Sequence, residues 1–231
     1  MDYQSLLELV EKRRSTHRYK PDPIPDEYVD NIIEAARWAP SGANSQPWEF
    51  VVVRKKELKD RIVKLFEEQH EISHKIEQSR EPDRRFPGFV KPLQGTPGFA
   101  SAPVLIIMCG DPRTKEAYPL NAVLDRGQSN FYSSLASAFL YMHLAATALG
   151  LGSQWVSASA LDLMQSQIKI LLEIPVELEI YDMMALGYAA AESKPRPVRD
   201  RVEMVHNDTY DRTRFRTDQQ VKDYILSLRK R

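Results

Sequence analysis

Apolar residues recur along this chain in two rhythms, a helical spacing of three or four and short unbroken runs, and the two take turns from end to end. Leu6, Leu9 and Val10 predict a short first helix that ends by Arg13, ahead of a basic run. Pro21, Pro23 and Pro25 keep the next segment extended, and Asp26 then caps a helix whose inward face is Val29, Ile32, Ile33 and Ala36. Pro40 stops it. The run Phe50 to Val53 predicts a buried strand, and Leu58, Ile62, Leu65 and Phe66 predict a helix that decays into the charged stretch Glu67 to Arg85.

Val104 to Cys109 predicts the second core strand. The longest helix is expected over about 129–149, where Leu135, Ala138, Phe139, Met142, Ala146 and Leu149 form one stripe with Leu140 and Leu144 beside it. A stripe that wide suits a helix buried on several sides, at the centre of a domain or of a dimer interface. Gly150-Leu151-Gly152 leads into a third strand, Ser153 to Ser157; a helix containing Leu161, Met164, Ile168 and Leu171 precedes the fourth, Met183 to Gly187. After Tyr188 comes an arm rich in Pro and Arg, and Thr217-x-x-Gln220 reads as a capping box for a last helix with Val221, Tyr224, Ile225 and Leu228 inward.

Between Arg85 and Pro103 the chain turns irregular and carries Phe86, Phe89 and Phe99. That stretch reads equally as a loosely packed excursion or as a lid over a bound aromatic molecule. No internal repeat and no Gly-x-Gly-x-x-Gly is present. The expectation is an α+β fold, a mixed central β-sheet flanked by helices in a single domain 1–231, with a variable excursion over 71–102. The C-terminal arm and helix over 190–231 cannot fold alone and are expected to wrap a second subunit.

At 231 residues and 42% hydrophobic content the chain can bury one sizeable core. Its 32 basic residues offset 32 acidic ones, leaving no general field to draw nucleic acid or an anionic membrane. Cys109, the single cysteine, excludes an intrachain disulfide. No apolar run approaches the ~18 residues a membrane span needs, and Met1 to Gln4 has no signal-peptide character. A soluble, cytoplasmic protein is expected.

The densest chemistry lies in Ala39-Pro40-Ser41-Gly42-Ala43-Asn44-Ser45-Gln46-Pro47-Trp48, which joins the second helix to the first strand. Ser, Gly, Asn and Pro are what loops contain, yet here Gly42 permits a close backbone approach while Ser41, Asn44, Ser45 and Gln46 offer hydrogen bonds suited to a flat polar heterocycle. Upstream lies Arg13-Arg14-Ser15-Thr16-His17-Arg18-Tyr19; downstream lie Gly187-Tyr188, then Arg196, Arg199 and Arg201. Arginine's planar fork can bind two oxygens of an anion at once.

In the order and spacing of these three segments the sequence resembles the nitroreductase family of FMN-dependent oxidoreductases, from Leu6 to about Val205. The resemblance implies that Arg13, Arg14 and Ser15 serve the phosphate, ribityl chain and pyrimidine edge of FMN. The family's next basic residue falls at His17, with Arg18 beside it, so either side chain can face the cofactor. Pro40, Ser41, Gly42 and Asn44 match a loop that reaches the flavin from the partner subunit, implying a site shared across a homodimer. Ser157 and Ala158 match the backbone near N5, and Arg199 a phosphate arginine on the arm. The implied reaction is ping-pong: NAD(P)H reduces FMN and leaves, and a nitroaromatic, quinone or related small aromatic acceptor takes the electrons. No catalytic side chain is assigned.

Three rivals stand beside this reading. Reductive dehalogenases of the same family clamp a halotyrosine zwitterion with a Glu and a Tyr four residues apart, where this chain aligns His70 and His74. His70-Glu71-Ile72-Ser73-His74 is a formal His-Glu-x-x-His, as in zinc proteases, set among Glu67, Glu68, Lys75 and Glu77 with no obvious third ligand among His17, His143 and His206. A scaffold without turnover is the third.

Overall fold

A computed structural model describes residues 2–191 and 198–229. Six helices, α1 (Tyr3–Lys12), α2 (Asp26–Arg37), α3 (Lys56–Glu77), α4 (Leu120–Ala148), α5 (Asp162–Leu172) and α6 (Asp218–Arg229), accompany four strands, β1 (Trp48–Val53), β2 (Val104–Gly110), β3 (Gly152–Val156) and β4 (Glu179–Gly187), among the described residues. The chain divides into two compact units, 1–69 with 95–193 and 70–94 with 194–231.

The sheet lies in the first unit in the order β1-β2-β4-β3, every neighbouring pair antiparallel. Among the described residues parallel pairing enters only at an isolated bridge between Ser15 and Ser153, so the sheet expected to be mixed is antiparallel. All seven residues of β2 are buried, because alternate side chains enter cores on opposite faces. Val104, Ile106 and Met108 meet Ile32 of α2 and Phe131, Leu135, Ala138, Phe139 and Met142 of α4. Leu105, Ile107 and Cys109 meet Ile62 of α3 and Met164 and Ile168 of α5. Helix layers on both sides of a sheet give the α+β class expected from the alternating patterns.

Several boundaries differ from the sequence reading. α4 begins at Leu120, just after Pro119, well before the expected start, because Asn121, Asp125, Arg126, Gly127 and Gln128 dilute the apolar stripe of a segment that is nonetheless helical. β4 begins at Glu179, since Asp182 interrupts its apolar run while the strand continues past a register shift beside it, Met108 facing Asp182 and Cys109 facing Ile180. α3 continues to Glu77 through the charged stretch. The capping box at α6 forms in both directions: Thr217 N–H donates to Gln220 Oε1 at 2.8 Å and Gln220 N–H to Thr217 Oγ1 at 3.2 Å. Tyr224, Ile225 and Leu228, expected inward, are exposed.

The irregular stretch is also unequal in its parts. Phe99 is buried and meets Phe66 edge-on at 5.0 Å, and Lys59 Nζ donates to the carbonyls of Ala102 and Pro103, 2.9 Å from each. Phe86 is exposed, so only the earlier phenylalanines retain the character of a covering segment. No helix among the described residues is long and apolar enough to cross a membrane. Replacing Phe99 by Ala should cost about 3–5 kcal/mol of unfolding free energy, whereas Phe86→Ala should stay within about 1 kcal/mol of the parent. Urea denaturation of the two variants checks the division.

Candidate functional site

Arg13 closes α1, donating its backbone N–H to the Leu9 carbonyl, and the chain then runs extended across the end of the sheet. Thr16 N–H donates to the Ser153 carbonyl at 2.9 Å, Lys20 N–H to Tyr188 O at 2.9 Å, and Ala190 N–H returns to Arg18 O at 2.9 Å. Absent side chains make this approach feasible. A Cβ on Gly152 would stand 2.4 Å from Thr16 Oγ1, and one on Gly98 2.5 Å from the His17 carbonyl oxygen. Thr16 and Tyr19 are therefore buried, while Ser15, His17 and Arg18 are exposed. Sequence inspection passed over Thr16; its pairing with a glycine far along the chain leaves no local signal.

Arg14 behaves differently from its neighbours. Its guanidinium folds back onto the Glu11 carbonyl and onto the Arg13 carbonyl at 2.8 Å, satisfying the last turn of α1. It also lines a groove of about 550 Å³ with Lys12, Thr16, Lys20, Gly152 and Ala189. Among the described residues three cations and no carboxylate line that groove.

Ser15 stands level with Ser153, and Ser157 follows four residues further on, roughly 13 Å along the strand direction. Ser157 is exposed and begins a short turn, Ser157–Ala160, anchored by Ser159 Oγ donating to the Val156 carbonyl at 2.8 Å. The segment from Arg13 to His17 and the pair Ser157 and Ala158 thus flank β3, an edge strand.

Pro40, Ser41, Gly42 and Asn44 belong to the opposite edge, where their loop feeds β1, about 14 Å from β3 at ordinary strand spacing. Gly42 N–H donates to Ser134 Oγ of α4 at 3.1 Å, and Gln46 N–H to Ser41 Oγ at 3.1 Å. Ala43, Asn44 and Gln46 have φ of 50°, 52° and 42°, left-handed conformations that concentrate strain here. Gly42 does permit a close approach, but to protein: its Cβ would lie 2.9 Å from Cε1 of buried Tyr118. Pro40 and Asn44 are exposed, Ser41 and Gly42 half-buried.

Arg199 lies in the second unit, where it pairs with Glu203 at 3.2 Å. Arg196 lies outside the described residues. The His-Glu-x-x-His pair serves the irregular segment. His70 Nε2–H donates to the Gly88 carbonyl at 3.1 Å and His74 Nδ1–H to that of Phe89 at 2.8 Å. No three metal-ligating side chains converge among the described residues.

A buried polar group behind β3 had no counterpart in the sequence reading. His143 Nδ1 bonds Ser153 Oγ at 2.7 Å, its ring lies parallel to Trp155, and the Trp155 indole N–H donates to Asp182 Oδ2. Burial, helped by the charge of Arg13, pushes the His143 imidazole down to about 4. Burial lifts the Asp182 carboxyl to about 6, against the Trp155 hydrogen bond, which favours its charged form.

Residues 10–188 match the sequence model of the Nitroreductase family. The chain belongs to that family. Iodotyrosine deiodinase of Danio rerio is 29% identical over 192 residues, covering 80% of this chain and 60% of that protein. The crystal structure of an oxidized iodotyrosine deiodinase bound to FMN and 3-iodo-L-tyrosine superimposes with a TM-score of 0.68 at 24% identity, covering 89% of this chain and all of that one. A nitroreductase with bound FMN from Bacteroides fragilis gives 0.65 at 22% identity, covering 89% and 98%. This nitroreductase-family chain spans about 60% of the length of the deiodinase relative.

The two buried titrating groups make opposite contributions to stability. Between pH 4 and 6 the folded state holds the Asp182 proton that the unfolded state has lost, so stability falls by about 3 kcal/mol as pH rises through that window. Between pH 4 and 6.5 the unfolded state holds a His143 proton that the folded state excludes, so stability rises by about the same amount. Together they nearly cancel. Asp182→Asn should expose the His143 slope, its stability rising by about 3 kcal/mol from pH 4 to 6.5 in denaturant titrations while that of the parent changes by about 1 kcal/mol or less from these two groups.

Proposed function

We propose that the protein is an FMN-dependent oxidoreductase that takes reducing equivalents from NAD(P)H and delivers them to nitroaromatics, quinones or related small aromatic acceptors. The observation that carries this reading is the run of donors along one sheet edge, Arg13, Ser15 and His17 on one side of β3 and Ser157 and Ala158 at its end, within the matched span of a family whose solved members include FMN complexes.

The donor set fits the group. Arg13 offers a cation for the phosphate; Ser15 and His17 offer exposed donors for the pyrimidine edge, where negative charge collects on reduction. Arg18 is exposed beside His17 and serves equally. Ser157 and Ala158 supply backbone N–H groups for N5. Arg14 is committed to α1, and its share is the cationic groove at its side. When bound, FMN would supply the hydride chemistry that no side chain here can, while the protein's own contribution is position and electrostatics.

Pro40, Ser41, Gly42 and Asn44 stand at the far edge of the same sheet, so their contribution comes from a second copy, and the flavin site is shared across a homodimer. Exposed Leu6 and Val10 of α1 and Leu140 and Tyr141 of α4 supply apolar surface for such an interface. Arg199, on the arm, adds a phosphate contact once released from Glu203.

Reductive dehalogenation is the second reading, favoured by the similarity to iodotyrosine deiodinase. Against it, the positions aligned with the zwitterion clamp hold His70 and His74, whose imidazoles are bonded to the Gly88 and Phe89 carbonyls. Purified protein should be yellow and should bleach with NADPH or NADH; reoxidation by a nitroaromatic or quinone supports the first reading, and reoxidation only by 3-iodotyrosine transfers it to the second. A colourless protein that cannot be loaded with FMN would remove both.

Arg13→Ala should lower FMN retention at least tenfold, read as the flavin-to-protein ratio after gel filtration, through loss of a charge-assisted phosphate contact worth about 1.5–3 kcal/mol. Dilution of the parent to monomer should release flavin, and a yellow monomer would speak against a shared site.

A further inference from the structure

Trp155 is the exposed side chain of β3, and it sits two residues before Ser157. An edge strand with an open aromatic needs something other than burial to hold it. Phe139 meets the indole edge-on at 4.6 Å, His143 lies parallel to it at 5.5 Å, and its N–H donates to Asp182 Oδ2 at 2.5 Å. Asp182 is buried on β4, and its second oxygen, Oδ1, has no hydrogen-bond partner; His143 Nε2 is likewise unpartnered. A buried carboxyl oxygen left this way is costly, and an amide or an alcohol would accept the same indole N–H without that cost.

We propose that Asp182 is a positioning residue for the Ser157–Ala158 turn, acting through Trp155, and that ionisation of its carboxyl tightens that hold. Only the turn's role toward the flavin rests on the FMN reading given above; the link between Asp182 and Trp155 stands without it. An ionised acceptor binds an N–H about twice as strongly as a neutral one. The protonated acid accepts weakly and brings an O–H that itself needs an acceptor. The protein therefore carries a group whose charged form costs stability and stiffens the strand leading into the site.

The surroundings leave the response to this one group. β3 presents Trp155; α4 presents His143, held neutral by burial and by Arg13 of the α1 terminus, and Tyr132, whose hydroxyl donates to Glu179 at 2.9 Å. β4 itself contributes Tyr181 and Glu179, and β2 places uncharged Met108 opposite Asp182. Burial lifts the carboxyl into the range where it changes charge near pH 6.

The test follows two signals of the FMN-loaded protein from pH 5 to 7.5: tryptophan fluorescence, taken as the difference from Trp155→Phe, and the visible circular dichroism of the bound flavin. Both should move together with a midpoint near 6. Asp182→Asn keeps an acceptor for the indole but cannot ionise, and should flatten both curves. Trp155→Phe, the reference for the fluorescence difference, should flatten the flavin curve, because the carboxyl still titrates but has nothing to pull on. The proposal is overturned if Asp182→Asn titrates like the parent, or if the fluorescence moves while the flavin signal stays flat. Failure to load FMN would count against the oxidoreductase reading, and the fluorescence titration of the flavin-free protein would still decide whether Asp182 governs Trp155.

Discussion

At one end of the sheet two strands finish without side chains, and the segment from Ser15 to Lys20 occupies the room this leaves. A methyl group on Gly152 would overlap Thr16, and one on Gly187 would stand 2.6 Å from Pro103 Cδ and 2.8 Å from the Tyr19 ring. Because both are missing, Thr16 and Tyr19 can sink against the strands, and the Tyr19 hydroxyl reaches the Ala185 carbonyl at 3.2 Å. Ser15 and His17 flank buried Thr16 on an extended segment and so face the other way, into solvent. Whatever the basic segment binds, its placement depends on those two bare positions.

The other half of the candidate site is built on strain. Three left-handed residues in one loop cost of order 1–3 kcal/mol each where no side-chain preference relieves them, and only Asn44 is of a type that tolerates the conformation readily. Ser134 and Tyr118 hold the loop from below, and the Ser41 hydroxyl bonds it to itself. A core packed on both faces of β2 supplies the stability against which such a loop can be maintained.

The alternation of elements and the α6 capping box were legible in the sequence, because each rests on local spacing, whereas the roles of the candidate site segments came from a resemblance and are proposals. Boundaries failed where a buried position is polar or small: Asp182 hid the start of β4, and Gly127 with its charged neighbours hid the first turns of α4. The meaning of Gly42 was half legible. A close approach could be read from the glycine, but Tyr118, the residue approached, lies in a stretch with no pattern to connect them. Long-range pairs such as Thr16 with Gly152, or Trp155 with Asp182, are properties of the folded chain and have no periodicity to betray them.

Lys59 ties the first turn of α3 to the carbonyls of Ala102 and Pro103, and Ile62 and Phe99 bury on the same side of the sheet. The stretch between them therefore leaves and rejoins a scaffold already fastened at both ends. Such a stretch can be lengthened, shortened or rewritten with little penalty to the core. A chain so constructed can rewrite that stretch without relearning how to fold, and a laboratory library confined to residues 78–94 would sample the same freedom.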